Sequence, residues 1–196
     1  MNKQVNIQMN IQMNKQMKQL AMGLALVLMT LQACEKDPKP NTPPVNESEL
    51  ITTVIIEATD SASGQKSTFK FKDADGEGGN APSQFDSILL NANRTYSVSL
   101  LLLDESKAEV DTISNEVLNE GEDHLFNFTV SNLNIGIKLN DLDKNGLPIG
   151  LKSIWRTGTN GDGKLKTVLK HQPGIKNGDP ALGETDIEIE FNCRIK

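Results

Sequence analysis

The sequence has few of the residues and motifs from which catalytic sites are built. It contains two histidines, His124 and His171, and neither belongs to a His-x-His or His-Glu-x-x-His pattern. It also has no Gly-x-Ser-x-Gly segment and no glycine-rich phosphate loop. A triad can assemble from residues distant in the chain, but nothing in the sequence points to one. We therefore predict no enzymatic activity, and we expect both histidines in loops at the ends of strands.

The sequence also lacks an apolar run long enough to cross a membrane. Its longest, residues 20–31 (LAMGLALVLMTL), has 12 residues. As a helix this run would rise about 18 Å, whereas a bilayer core is about 30 Å thick. It follows Lys3, Lys15 and Lys18 in a segment without acidic residues, which is the order of a secretory signal peptide.

The apolar run ends in Leu31-Gln32-Ala33-Cys34. This segment resembles the lipobox of bacterial lipoproteins, with an aliphatic residue three positions before the cleavage point and a small residue directly before the cysteine. The resemblance implies that residues 1–33 are a lipoprotein signal peptide and that Cys34 is lipidated and becomes the new N-terminus. The chain would then be held at the outer membrane by acyl chains and would not span it.

A proline-rich segment follows the cysteine. Residues 35–49 (EKDPKPNTPPVNESE) contain four prolines and one aliphatic residue, so we expect residues 34–49 to form an extended, disordered tether. Glu35-Lys36-Asp37 resembles the acidic export tag of surface-exposed lipoproteins of the Bacteroidota. Because Lys36 interrupts the acidic run, both the cell surface and the periplasmic face stay open.

Basic residues are too few for a nucleic-acid-binding surface. Removal of residues 1–33 takes away three lysines and no acids, which leaves 17 basic against 26 acidic residues and a formal charge of −9. Such a surface repels phosphate backbones. We expect no nucleic-acid partner.

Residues 50–196 alternate apolar and polar side chains with a period of two, which is typical of half-buried strands. Four segments show this pattern, and four further segments bring the prediction to about eight strands, near residues 51–58, 69–72, 96–103, 125–130, 133–139, 151–156, 165–170 and 187–195. Turns such as Asp75-Gly76, Asn145-Gly146 and Asn160-Gly161 separate them. We predict an all-β fold, an antiparallel, immunoglobulin-like β-sandwich.

One segment departs from the strand pattern. Between Glu105 and Gly121, helical spacing is shown by Val110, Ile113 and Val117. Gly121 follows at a position where glycine commonly ends a helix. The sequence is equally compatible with a short helix and with an edge strand over residues 108–113 followed by a loop.

Three longer motifs suggest a family. They are residues 73–82 (DADGEGGNAP), residues 141–146 (DLDKNG) and His171-Gln172-Pro173 leading to residues 183–191 (GETDIEIEF). They resemble a family of flavobacterial outer-membrane lipoproteins that is often labelled as having a type 1 periplasmic-binding fold. That fold alternates parallel strands with helices, and the chain lacks this alternation. The family type implies a role beside an outer-membrane nutrient transporter.

Asp141, Asp143 and Asn145, followed by Gly146, match the first half of a calcium-binding loop. The twelfth position is Lys152 instead of a bidentate glutamate, so the chain has no EF-hand here. Asp73 and Asp75 from another loop could supply further oxygen ligands. The alternative is an ordinary turn, which also favours Asp, Asn and Gly.

Cys193 is the one thiol that remains if Cys34 is lipidated. It lies on the same face of its strand as Ile189, Phe191 and Ile195, so we expect it to be buried and unreactive.

Two function classes follow from these observations. The first is a lipoprotein that presents a ligand- or partner-binding sandwich, accessory to nutrient uptake. The second is a structural envelope protein that displays a domain without a small-molecule ligand. A binding module requires a concave pocket or a polar cluster, whereas a display protein predicts a flat polar surface.

Overall fold

The structure, a computed structural model, describes residues 49–76 and 78–196. The predicted signal peptide, Cys34 and all of the tether except Glu49 lie outside these residues. Within the described part, the strands are β1 (Thr53–Asp60), β2 (Lys66–Lys72), β3 (Gln84–Phe85), β4 (Ile88–Leu90), β5 (Thr95–Leu103), β6 (His124–Ser131), β7 (Ile135–Leu139), β8 (Lys152–Thr157), β9 (Gly161–His171) and β10 (Glu184–Ile195). One short helix, α1 (Ile113–Asn119), lies between β5 and β6.

The strands form two sheets that pack as a sandwich. The larger sheet has the order β3-β2-β1-β5-β8-β7, and the smaller sheet has the order β4-β10-β9-β6. Neighbours are antiparallel, except that β4 runs parallel to β10. The predicted β-sandwich is confirmed, and the two strands that the sequence analysis missed, β3 and β4, are only two and three residues long.

The core lies between the inner faces of the two sheets. On β5, Tyr96, Val98, Leu100 and Leu102 alternate inward, as the period of two predicts, and all four are buried. Trp155 of β8 is also completely buried. Burying a large apolar side chain contributes roughly 1.5–3 kcal/mol, so this alternation is the main source of stability.

The segment after β5 forms a helix, as one of the two sequence alternatives proposed. Ile113 and Val117, four residues apart, are the buried residues of α1. Val110 is 55% exposed and lies before the helix, so the predicted helical pattern began too early. The predicted edge strand is limited to a single bridge between Asp104 and Asp111. No helix among the described residues has the length and apolar composition needed to cross a membrane.

Candidate functional site

Two histidines stack inside one end of the sandwich. His124 begins β6, His171 ends β9, and the antiparallel register places them directly opposite each other. Their ring centroids are 4.5 Å apart and their planes differ by 13°. Both side chains are buried, with 0% and 8% of their surface exposed. The histidines lie at strand ends, as expected, but the expectation that they belong to loops was wrong, because they are the terminal residues of β6 and β9 and are buried on the same faces as Phe126 and Leu169.

Asp186 reaches the histidines because β10 contains a bulge. Thr185 pairs with Lys170 and Ile187 pairs with Leu169, so Asp186 is the extra residue on its strand. A bulge re-aims the side chain of the inserted residue, and the Asp186 side chain is only 1% exposed. Without the bulge, Asp186 would lie on the opposite face of the strand from Ile187, which would be the outer face.

The Asp186 carboxylate lies close to both rings. Its Oδ2 is 3.8 Å from His124 Nε2, and its Oδ1 is 3.9 Å from His171 Nδ1. These distances are too long for hydrogen bonds, for which about 2.7–3.2 Å is required. The three side chains therefore surround a common point without bonding directly to one another.

The tautomer of His124 follows from its hydrogen bond. Its Nδ1 is 3.1 Å from the carbonyl oxygen of Glu120, and because a carbonyl only accepts, Nδ1 carries the proton. Nε2 is left with a lone pair on the Asp186 side. Burial and the neighbouring His171 lower the pKa of His124, against the opposing effect of Glu120 and Asp186. His124 is therefore neutral at pH 7 and can donate its lone pair.

The two nitrogens that face Asp186 have no hydrogen-bond partner among the described residues. They are His124 Nε2 and His171 Nδ1. Buried polar atoms in folded proteins nearly always have a partner, since burial without one is unfavourable. This arrangement is typical of a binding site for a group that satisfies both atoms.

Acidic side chains surround His124. A ligand atom of His124 and carboxylate oxygens of Glu49 and Glu120 lie within 4.8 Å of one another. Burial, a hydrogen bond with Glu116 and the charges of Glu116, Glu120 and Asp186 raise the pKa of Glu49 to about 7. So many acids around a neutral imidazole create a negative potential that favours a cation.

A surface cleft borders this cluster. It has a volume of about 390 Å³, and both Glu49 and Asp186 line it, together with Leu50, Phe71 and Asp73. Burial and the neighbouring Asp75 raise the pKa of Asp73. This acidic cleft borders the cluster at Asp186, and neither histidine lines it.

The loop before β10 is held against the histidines. The Gln172 side chain is buried, and its Nε2 donates hydrogen bonds to the carbonyl oxygens of Asp179 (2.7 Å) and Leu182 (2.9 Å). Gly183 has a φ of +76°, and a Cβ atom there would lie 2.0 Å from the carbonyl oxygen of His171. Only glycine fits this close approach, which sets where β10 begins.

The predicted calcium loop, residues 141–146, has a different use in the structure. Asp141 accepts hydrogen bonds from the backbone N–H groups of Gly150 (2.8 Å) and Lys152 (3.1 Å). Asp143 Oδ1 accepts from the N–H groups of Asn145 (2.8 Å) and Leu147 (2.9 Å). These bonds fold the turn onto itself, as Asp and Asn commonly do.

A buried lysine completes this loop. Lys176 Nζ is 2.9 Å from Asp143 Oδ2, and the two side chains are 2% and 0% exposed. All four carboxylate oxygens of Asp141 and Asp143 thus have donors within the protein. Among the described residues, both groups of three or more ligand-type side chains include His124, and neither includes Asp141, Asp143 or Asn145. A calcium ion at this loop stays a prediction.

Of the two cysteines, Cys34 lies outside the described residues and its lipidation stays a prediction. Cys193 is 3% exposed on β10, so its predicted burial is confirmed. Burial raises the pKa of its thiol to about 11. A thiol with so high a pKa forms little of the reactive thiolate.

The sequence analysis therefore missed the cluster that the structure brings together, His124, His171 and Asp186. His124 lies two residues before the buried Phe126, and His171 lies two residues after the buried Leu169. The period of two therefore places both histidines on inner faces. Comparison of the chain with protein-family models, with curated proteins and with solved structures found no match.

Proposed function

We propose that the protein is a lipoprotein, anchored to the outer membrane through Cys34, which presents a ligand-binding β-sandwich. The observation that carries the anchor is Leu31-Gln32-Ala33-Cys34 directly after a 12-residue apolar run. The segment after it is rich in proline, and the folded sandwich follows. This order suits a domain held at a distance from a membrane.

The binding role is supported by the polar cluster and its cleft. A display protein without a ligand has no need for two inward-facing imidazole nitrogens that lack partners. Catalysis is less well supported, because neither of these nitrogens receives a hydrogen bond from a hydroxyl or thiol of the described residues. We therefore favour binding, with accessory function beside a nutrient transporter as the setting that the family resemblance implies.

The anchor is tested by fractionation of cells that express Cys34→Ser. Without the thiol, no acyl chain can be attached, so the protein should leave the membrane pellet and appear in the soluble fraction in detergent-free buffer. Cys193→Ser is the matched control, since its thiol is buried in β10 and it should pellet like the wild type. A Cys34→Ser protein that still pellets would show that the anchor proposal is wrong.

The ligand-binding part has its own test. The melting temperature of the detergent-solubilised protein should rise when the natural ligand is added from a periplasmic or medium extract, and Asp186→Asn should remove this rise. An unchanged rise in Asp186→Asn would place binding elsewhere, and no rise in the wild type would favour the display hypothesis.

A further inference from the structure

Three side chains on three adjacent strands converge at one buried point. His124 Nε2 lies 3.8 Å from Asp186 Oδ2, and His171 Nδ1 lies 3.9 Å from Asp186 Oδ1. One ligand atom from each of the three residues lies within 4.8 Å of the other two. Neither nitrogen has a hydrogen-bond partner among the described residues. The strand register and the β10 bulge produce this convergence, so it is built into the backbone.

The distances fit a shared metal ion better than a hydrogen-bond network. Zinc is bound at about 2.0–2.2 Å by nitrogen and carboxylate ligands, which places two ligands of a tetrahedral ion about 3.4 Å apart. The two nitrogens lie 3.8 Å and 3.9 Å from the Asp186 oxygens. These distances exceed the spacing between two zinc ligands by about 0.5 Å, so the side chains must move closer together to share an ion.

We propose that His124, His171 and Asp186 bind a divalent transition-metal ion of the zinc type, with Glu49 as the fourth ligand. This inference deepens the ligand-binding part of the proposed function and is independent of the lipid anchor. Glu49 qualifies because its carboxylate lies within 4.8 Å of a His124 ligand atom and borders the cleft next to Asp186.

The chemistry of the donors selects the class of ion. Neutral imidazole suits zinc and its transition-metal neighbours, whereas calcium and magnesium prefer shells made of oxygen alone. The hydrogen bond from His124 Nδ1 to the Glu120 carbonyl (3.1 Å) fixes the ring with Nε2 available. Such a bond from the second ring nitrogen is the usual support of a metal-bound histidine.

The negative charge of the site also favours a divalent cation. A carboxylate oxygen of Glu49 and one of Glu120 lie within 4.8 Å of each other, and Glu49 and Asp186 line the same cleft. A bound ion of charge +2 would offset the repulsion between these carboxylates. Metal binding would therefore join Glu49, at the end of the tether, to the body of the sandwich.

Binding must change the histidine stack. The rings are within 13° of parallel, and two parallel rings cannot both point an in-plane lone pair at one ion. At least one imidazole must therefore rotate when the ion enters. This rotation provides a signal that a merely structural histidine pair would not give.

The test uses the full chain carrying Cys34→Ser, purified in detergent without a polyhistidine tag. The substitution removes the one thiol that is not shown to be buried. Zinc chloride is added during calorimetry and during NMR of the protein with ¹⁵N-labelled histidine. The chain has two histidines, so both imidazoles can be assigned. We expect one zinc per chain and shifts of His124 Nε2 and His171 Nδ1, whereas equal calcium or magnesium should shift neither imidazole signal.

Asp186→Asn tests the carboxylate ligand with almost no change in shape. Loss of even an outer-shell partner weakens metal affinity by about 10–100-fold, so Asp186→Asn should weaken zinc binding at least tenfold. Asp162→Asn is the control, because it neutralises an aspartate of β9 in the same sheet, but its side chain is 67% exposed. It should keep the fold and the wild-type zinc affinity.

Several results would overturn the proposal. One is the absence of zinc binding by the wild type, which would mean that a buried water satisfies the two nitrogens. The others are zinc binding without imidazole shifts and equal zinc affinity in wild type and Asp186→Asn. If zinc fails to bind, the fractionation of Cys34→Ser still tests the lipoprotein proposal separately.

Discussion

The buried pair of Lys176 and Asp143 gives the most quantitative prediction. Lys176 Nζ donates to Asp143 Oδ2 (2.9 Å) and to the carbonyl oxygen of Gly121 (2.7 Å), away from solvent. Burial acts to raise the pKa of Asp143, but hydrogen bonds from Lys176 and from the N–H groups of Leu147 and Asn145 outweigh it and lower the pKa. Asp143 is therefore a buried carboxylate that stays ionised at pH 7.

Replacing the lysine should be strongly destabilising. Lys176→Met keeps most of the side-chain volume but leaves the Asp143 charge without its cation. Breaking a buried pair in this way costs about 3–5 kcal/mol. For a domain of this size, each kcal/mol lowers the melting temperature by about 2–4 °C, so we expect a decrease of about 6–20 °C. Urea denaturation and a thermal scan at pH 7 measure both quantities.

A matched lysine substitution separates burial from charge. Lys144 pairs with Glu122, but its side chain is 70% exposed. Exposed pairs contribute about 0–1 kcal/mol, so Lys144→Met should be nearly neutral. The double variant Asp143→Asn/Lys176→Met should lose less stability than Lys176→Met alone, since it leaves no buried charge. A loss below about 1 kcal/mol in Lys176→Met would refute the assignment of a buried ion pair.

Three further predictions concern Glu49, Cys193 and the acidic loop. The folded-state pKa of Glu49 is raised from 4.5 to about 7, so its protonation stabilises the fold at low pH and this contribution is lost as pH rises through 7. In EDTA, Glu49→Gln should melt higher than wild type at pH 8 and equally at pH 4.5; equal melting at both would contradict the raised pKa. In a Cys34→Ser background, Cys193 should react with a thiol reagent only after unfolding, and rapid native labelling would contradict its burial. If residues 141–146 bind calcium with a Kd near 1 mM, about 5 mM calcium should raise the free energy of unfolding of the wild type by about 1 kcal/mol, and it should not raise that of Asp141→Asn/Asp143→Asn. Equal increases in the two proteins would mean that the loop is only a turn.

The strand pattern was predictable because it depends on nearest neighbours in the chain. Cys193 lies on the same face of its strand as Phe191 and Ile195, which was enough to predict its burial, and all three residues are buried in β10. The short strands β3 and β4 were missed because two or three residues cannot show an alternation. Alternation gives the face of each residue but gives no information about which strands are neighbours.

The cluster depends on this missing information. Each histidine could be assigned to an inner face from its own strand, but only the β6–β9 register places one ring on the other. For Asp186, alternation indicates the wrong face, because the bulge adds one residue to β10 and re-aims this side chain. Lys176 lies 33 residues from Asp143 in a loop without periodicity, so no sequence pattern indicated their pairing.

The position of β10 affects the order in which the protein can fold. It lies inside the smaller sheet, between β4 and β9, although it is the last strand in chain order among the described residues. At about 5–20 residues per second, the ribosome needs of the order of ten seconds to reach β10 after β4 is complete. During this time β4 has no partner in its sheet and β9 has one free edge. The pair β6–β9 can form before β10 is made, but the complete four-stranded sheet can form only after synthesis of β10.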